Sequence, residues 1–203
     1  MSSPSTRSTQ TQTHGCPLAQ PLRHADIDSK KHVPASASHD GVVVCLYRPR
    51  MASNVGAILR TVACSGFSRV IVISAEPGWK FPWMTSEHAQ SALRNASKGV
   101  DIEIQYLSTA EFLAMSEPGS SARPIVCLET ADRAVSLHEY EFPREAAGGC
   151  YLLFGSEGMG VSDERLLSAA TDVVCIPMFG YHSLNLSASV AMTLYELRRQ
   201  WGT

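Results

Sequence analysis

The sequence predicts an α/β fold: a mostly parallel sheet with helices on both faces. Three observations predict it. Six short apolar runs recur along the chain, GVVVCLY (41–47), RVIVI (69–73), IEIQY (102–106), PIVCL (124–128), CYLLF (150–154) and TDVVCI (171–176). Continuous Val/Ile/Leu runs of this length read as strands buried on both faces. Between several of them lie amphipathic segments with helical spacing, the pattern of strands joined by helical crossovers. With 44% hydrophobic residues the chain also has enough apolar surface to bury a core.

Taken in order, residues 1–40 come first and lack Phe, Trp and Tyr, although the 203-residue chain has 15 of them. They are rich in Ser, Thr, Pro and Gln and cannot offset their ordering entropy by burial, so a disordered or partner-bound tail is expected. The domain is expected to span 41–203. Its helices are predicted over Asn54–Ser65, Ser86–Lys98, Thr109–Met115, Ser162–Ala169 and Leu184–Gln200. In the first, Val55, Ile58, Leu59 and Val62 fall at i, i+3, i+4 and i+7 and make a core stripe. Ser53 or Asn54 is expected to cap its start and Gly66 its end, and Ser162 is expected to cap the fourth helix. In the last, Val190, Leu194 and Leu197 keep the stripe.

Charge and cysteine usage narrow the function. The formal net charge is −2, so no chain-wide basic field advertises nucleic acid. No apolar stretch approaches the ~18 residues of a membrane span. The six cysteines (Cys16, Cys45, Cys64, Cys127, Cys150, Cys175) form no C-x-x-C pair and no metal-ligand spacing. Most sit in apolar runs, which reads as inert buried thiols in a reducing compartment. An intracellular location is expected, the cytoplasm ahead of the mitochondrion. The first 25 residues, with Arg7, Arg23 and no acid, carry a trace of a transit peptide but no amphipathic stripe.

Three stretches exceed what packing requires. In RPRMASNVGAILRTVACSGF (48–67), Arg60 points away from the apolar stripe, as a solvated helix arginine would. Yet residues 41–75 hold four arginines (Arg48, Arg50, Arg60, Arg69) and no acid, a cationic patch suited to a phosphate-bearing ligand. In LLFGSEGMGVSDERL (152–166), Gly155, Gly158 and Gly160 permit tight turning and close approach of a ligand to the backbone. No G-K-[ST] ending or G-x-G-x-x-G spacing is present, so neither a P-loop nor a dinucleotide fingerprint is indicated. In IPMFGYHSLNLSASVAMTLYELRRQ (176–200), the cluster Ser183, Asn185, Ser187 and Ser189 precedes or opens a helix. Such residues often do no more than cap it. The small Ser and Ala positions also permit close helix packing in a dimer, and His182 reads as a surface or hydrogen-bonding residue.

Together, N-x-x-x-x-x-R on a helix, FGSEGMG after a strand and IPM…SLN-x-S before a C-terminal helix resemble the SPOUT superfamily. The match is closest to SpoU/TrmH-type RNA ribose 2′-O-methyltransferases and covers 41–203. The resemblance implies a C-terminal trefoil knot, a device that chain-threading rules alone would never suggest. It also implies S-adenosyl-L-methionine as cofactor, RNA as substrate and a homodimer. Carried over residue by residue, cofactor contacts fall on Leu128, Glu129, Gly155, Ile176 and Leu184, with Met178 and Ser183 bordering the pocket. Arg60, Asn54, Glu157, Ser183 and Asn185 match the family's catalytic set, and no metal is implied. RNA is expected at Arg48, Arg50 and Arg60.

The implied chemistry can be argued from the groups present. Methyl transfer needs the ribose oxygen in line with the methyl–sulfonium bond, so positioning supplies much of the rate. A guanidinium stays protonated and makes a poor base, so Arg60 is assigned to stabilising the developing alkoxide, in the family across the dimer from its own cofactor. Asn54 would orient Arg60 or the ribose, while Glu157 and Asn185 would fix loop or substrate geometry. Larger relatives carry an added RNA-binding domain where this chain has its tail, so a compact target such as tRNA is expected, with an rRNA loop open. The rival reading is a catalytically silent RNA-binding ribosome-assembly factor. A nucleotide hydrolase lacks a phosphate-gripping Lys, and a thiol enzyme lacks an activated cysteine.

Overall fold

A computed structural model describes residues 41–78, 81, 84, 86–96, 102–116, 123–144, 148–180 and 183–202. The tail, Cys16 and His182 lie outside the described residues, as do the last positions of the helix predicted over Ser86–Lys98.

Seven strands form one sheet: β1 (Val42–Tyr47), β2 (Arg69–Ser74), β3 (Glu103–Ser108), β4 (Ile125–Leu128), β5 (Val135–Ser136), β6 (Cys150–Phe154) and β7 (Asp172–Cys175). Their order is β3-β2-β1-β6-β4-β7-β5, and every pairing is parallel. The six predicted strands are present within two residues of their expected ends. The short β5 was not foreseen.

Among the described residues, the five helices are α1 (Ala52–Cys64), α2 (Glu87–Ala96), α3 (Thr109–Ser116), α4 (Glu164–Ala169) and α5 (Leu186–Trp201). One face carries α1 and α5, whose Val55, Ile58, Leu59, Val62, Val190, Leu194 and Leu197 pack on Val42, Val44 and Leu46 of β1, with Leu93 of α2 against the same cluster. The other face carries α3 and α4, with Phe112 and Leu166 packed against Val43, Cys45, Ile71 and Leu153. Alternate β1 residues thus feed opposite cores, so the run had to be apolar throughout. No helix among the described residues is long and apolar enough to cross a membrane.

The helix ends correct two expectations. The residue before α1 is Met51, which makes no side-chain cap bond; neither Ser53 nor Asn54 caps it. Asn54 lies within the helix and its side chain is committed elsewhere. Gly66 ends α1 as expected, with φ +76° and the Phe67 N–H donating to the Val62 carbonyl at 3.0 Å. The cap of α4 is Asp163 rather than Ser162, and its carboxylate accepts from the Arg165 N–H. At α5 the capping reading holds for Asn185, whose Oδ1 accepts from the N–H groups of Ser187 and Ala188.

Candidate active site

The strand order reverses beside β1: β2 and β3 lie on one side, β6, β4 and β7 on the other. Parallel sheets open a crevice at the carboxyl ends of strands near such a reversal. Register places Leu128 beside both Phe154 and Val174, so β6, β4 and β7 end at one level. The loops that follow enclose a cavity of about 230 Å³. Leu128, Glu129, Gly155, Ile176, Met178 and Leu184 all line it, together with Glu157 and Ser183. Sequence reasoning passed over Thr130, Phe154, Ser156, Val174, Cys175 and Leu186, which also line it; several directly flank residues it did name.

The glycine turn after β6 is shaped by close backbone approach. The Ser156 and Gly160 N–H groups each donate to the other's carbonyl at 3.0 Å, closing a loop over Glu157, Gly158 and Met159. A Cβ at Gly155 would overlap the Gly160 backbone. Gly160 has φ +58°, and a Cβ there would overlap the Glu129 carboxylate. That carboxylate in turn accepts from the Val161 N–H at 2.8 Å and the Thr130 N–H at 2.9 Å.

A chain of hydrogen bonds joins the three sequence motifs. Asn185 Nδ2 donates to Asn54 Oδ1 at 3.1 Å, and Asn54 Nδ2 donates to Glu157 Oε1 at 2.9 Å. The same carboxylate accepts from the backbone N–H groups of Met51 (3.1 Å) and Arg50 (2.8 Å), at the entrance to α1. A carboxylate at the positive end of a helix is favourably placed, and this one arrives from more than a hundred residues away. Burial pushes the Glu157 pKa up, but the bonds from Asn54, Arg50 and Met51 outweigh it and leave the carboxyl below its ordinary value. Glu157 is therefore a buried-side anion held by N–H donors.

Arg60 lies elsewhere. It is exposed on α1, six residues beyond Asn54, and its Nη2 donates to the Asn95 carbonyl at 3.3 Å. It is not among the residues lining the cavity. Arg48 and Arg50 flank the loop before α1, and both side chains are exposed. Arg48 occupies the left-handed region at φ +51°, its N–H donating to the Ile73 carbonyl and its guanidinium lying 6.0 Å from the Tyr47 ring centre.

Among the described residues, no group of three or more His, Cys, Asp or Glu could hold a metal ion. Burial raises the thiol pKa of Cys45, and pushes those of Cys127 and Cys150 up to about 12, so these three are protonated and unreactive.

The chain is similar to proteins of known activity. The chain is 28% identical to the tRNA (guanosine(18)-2'-O)-methyltransferase of Escherichia coli K12 over 160 residues, covering 78% of this chain and 63% of that protein. It is 30% identical to the 23S rRNA (adenosine(1067)-2'-O)-methyltransferase of Streptomyces azureus over 181 residues, covering 88% of this chain and 59% of that one. The chain thus spans about three fifths of the length of these relatives. A solved chain described as "Structural insights into the 2-OH methylation of C/U34 on tRNA" superposes with TM-score 0.60 at 30% identity, covering 78% of this chain and 95% of that one. The AdoMet-bound rRNA methyltransferase of Sinorhizobium meliloti superposes with TM-score 0.62 at 25% identity, over 78% of this chain and 56% of that one. The model of the SpoU rRNA Methylase family matches residues 41–195, and the chain belongs to that family.

Proposed function

We propose that the protein transfers a methyl group from S-adenosylmethionine to a ribose 2′-OH of structured RNA, tRNA ahead of rRNA, as a homodimer. The single observation that carries this reading is the hydrogen-bond chain Asn185–Asn54–Glu157, which assembles three distant motifs at the wall of a cavity suited to the cofactor. The fit rests on the donor set. The cavity offers apolar side chains (Leu128, Ile176, Met178, Leu184) and loop backbone for an adenosine. Its charged lining residues among those described are two carboxylates, Glu129 and Glu157, with no Arg or Lys. Such walls suit a cationic, phosphate-free ligand and oppose a nucleotide polyphosphate.

When bound, the cofactor supplies an electrophilic methyl on a sulfonium sulfur. The chain's residues do the rest. Gly155 and Gly160 bring backbone close to the ligand, and Glu157 ties that loop to the arginine-bearing segment before α1. Arg60 cannot accept the ribose proton, so it stabilises the oxygen as charge develops, and the proton leaves to phosphate or water. Arg60 is absent from its own chain's cavity lining, which supports the reading that it serves the site of a second copy. The threading of the C-terminal loops as a trefoil knot belongs to the same proposal. Preference for tRNA draws on the relatives named for guanosine 18 and for C/U34 of tRNA.

The test is a ribose-methylation map of total RNA with and without the protein, paired with a cofactor titration. A missing 2′-O-methyl site in the absence of the protein is expected. Cofactor binding with an unchanged map would favour the silent assembly factor.

A further inference from the structure

A second cavity, of about 740 Å³, backs onto the first, and Ser156, Glu157 and Gly158 line both. Its remaining lining has the opposite character. Arg48 and Arg50 supply two exposed guanidiniums, neither paired with a carboxylate among the described residues. Met51 and Met159 supply apolar surface, exposed to 55% and 72%, beside the buried Phe81. The one carboxylate in the wall, Glu157, is engaged by three N–H groups.

Guanidiniums beside polarisable apolar groups are chemistry that suits a nucleotide. The forks take phosphate oxygens, while the two exposed thioether side chains take the face of a base. The volume lies in the range of small-molecule sites and accommodates one base. A base stacked in an RNA helix cannot enter such a recess; one splayed from a loop can. A two-fold contact centred on this cavity would set two arginines against the same two arginines, which keeps the cavity off the axis of a homodimer.

Resting on the methyltransferase reading above, we propose that this cavity receives the unstacked base of the nucleotide being methylated, with the neighbouring phosphates on Arg48 and Arg50. Its ribose then spans the rim formed by Ser156–Gly158, with the cofactor on the far side. The site binds a nucleoside monophosphate unit and selects for single-stranded or loop RNA.

The full chain, labelled with ¹³C at the methionine methyls, is titrated with GMP, with UMP and, separately, with S-adenosylhomocysteine. Adenine nucleotides are avoided because adenosine belongs in the first cavity. The nucleotides are expected to shift the Met51 and Met159 methyls saturably and to leave Met178 in place. Arg50→Ala and Met159→Ala, both at exposed side chains, should each weaken that binding about tenfold. Nucleotides that move Met178, or none of the three, overturn the proposal. So do Met51 and Met159 signals that respond to protein dilution instead, which marks an interface between copies. S-adenosylhomocysteine reports on the other reading: a Met178 shift supports it, and no shift beside intact nucleotide binding leaves this cavity standing without it.

Discussion

The two ends of α1 live in different surroundings. At its beginning Asn54 is 9% exposed and locked between Glu157 and Asn185. Six residues later Arg60 is exposed, and its Nη2 donates to the Asn95 carbonyl near the end of α2. A buried amide is costly unless every polar atom is satisfied, so Asn54 is immobile and its loss is felt by the fold. Under the proposed transfer, loss of the exposed Arg60 is felt by the chemistry more than by the fold, so one helix carries a structural joint and the proposed charge-stabilising group.

The sharpest way to break that contrast is Arg60→Ala. Transfer should fall by about 10²–10³, the cost of removing one charge-stabilising donor, while cofactor affinity by calorimetry stays within about twofold. Equal loss of both would place Arg60 with Asn54. Next comes Asn54→Ala, which strips Glu157 of one donor and removes the acceptor of the Asn185 Nδ2. Unfolding free energy should drop by about 1–3 kcal/mol in urea melts, with cofactor affinity falling too. An unchanged melt would move Asn54 to the side of Arg60.

A smaller effect concerns acid. Folding lowers the Glu157 pKa, so its contribution is present above the unfolded value of about 4.3 and disappears as pH falls through the lower folded value. Glu157→Gln should therefore flatten the melting temperature profile between about pH 3 and 5, whereas Arg60→Ala should leave its shape intact. Glu196, whose pKa sinks to about 2 through its bonds to Arg199 and Gln200, contributes to both profiles equally. The difference between the variants is the readout. Smallest is salt: Arg48→Ala and Arg50→Ala should each reduce the slope of log affinity for RNA against log salt by about 0.7, and Asn54→Ala should not.

Much of this was legible in the chain itself. Apolar runs marked the strands most plainly where both faces are buried, as in β1 and β6. The edge strand β3 kept its Val/Ile-type spacing although Glu103, Gln105 and Tyr106 are exposed. The i, i+3, i+4, i+7 stripe marked α1 because all four residues lie within 3% of full burial. The two-residue β5, inside the polar stretch ADRAVSLHEY, has no run to betray it. Strand order was invisible, since nothing local says that β6 lies between β1 and β4. Asn54 as a helix cap was a sound local inference that failed for a non-local reason: Glu157 and Asn185 had already claimed its amide. Ser162 lost its place to the neighbouring Asp163 by one residue, within the usual uncertainty of a helix start. The residues expected on the cofactor side were named through motif resemblance and line one cavity, whereas of the second cavity Arg48 and Arg50 were legible, as part of a cationic patch, and the apolar wall was not.

The position of β6 has a consequence for how the molecule is made. Val42–Tyr47 has β2 on one edge and needs Cys150–Phe154 on the other. While a ribosome is synthesising the intervening hundred residues, that second edge stays unpaired, a run of VVVCLY with its backbone groups bare. The nascent chain is then most prone to sticking to its neighbours midway through translation, and it is relieved of that hazard only near the end, when the late strand slides into a slot already flanked on both sides.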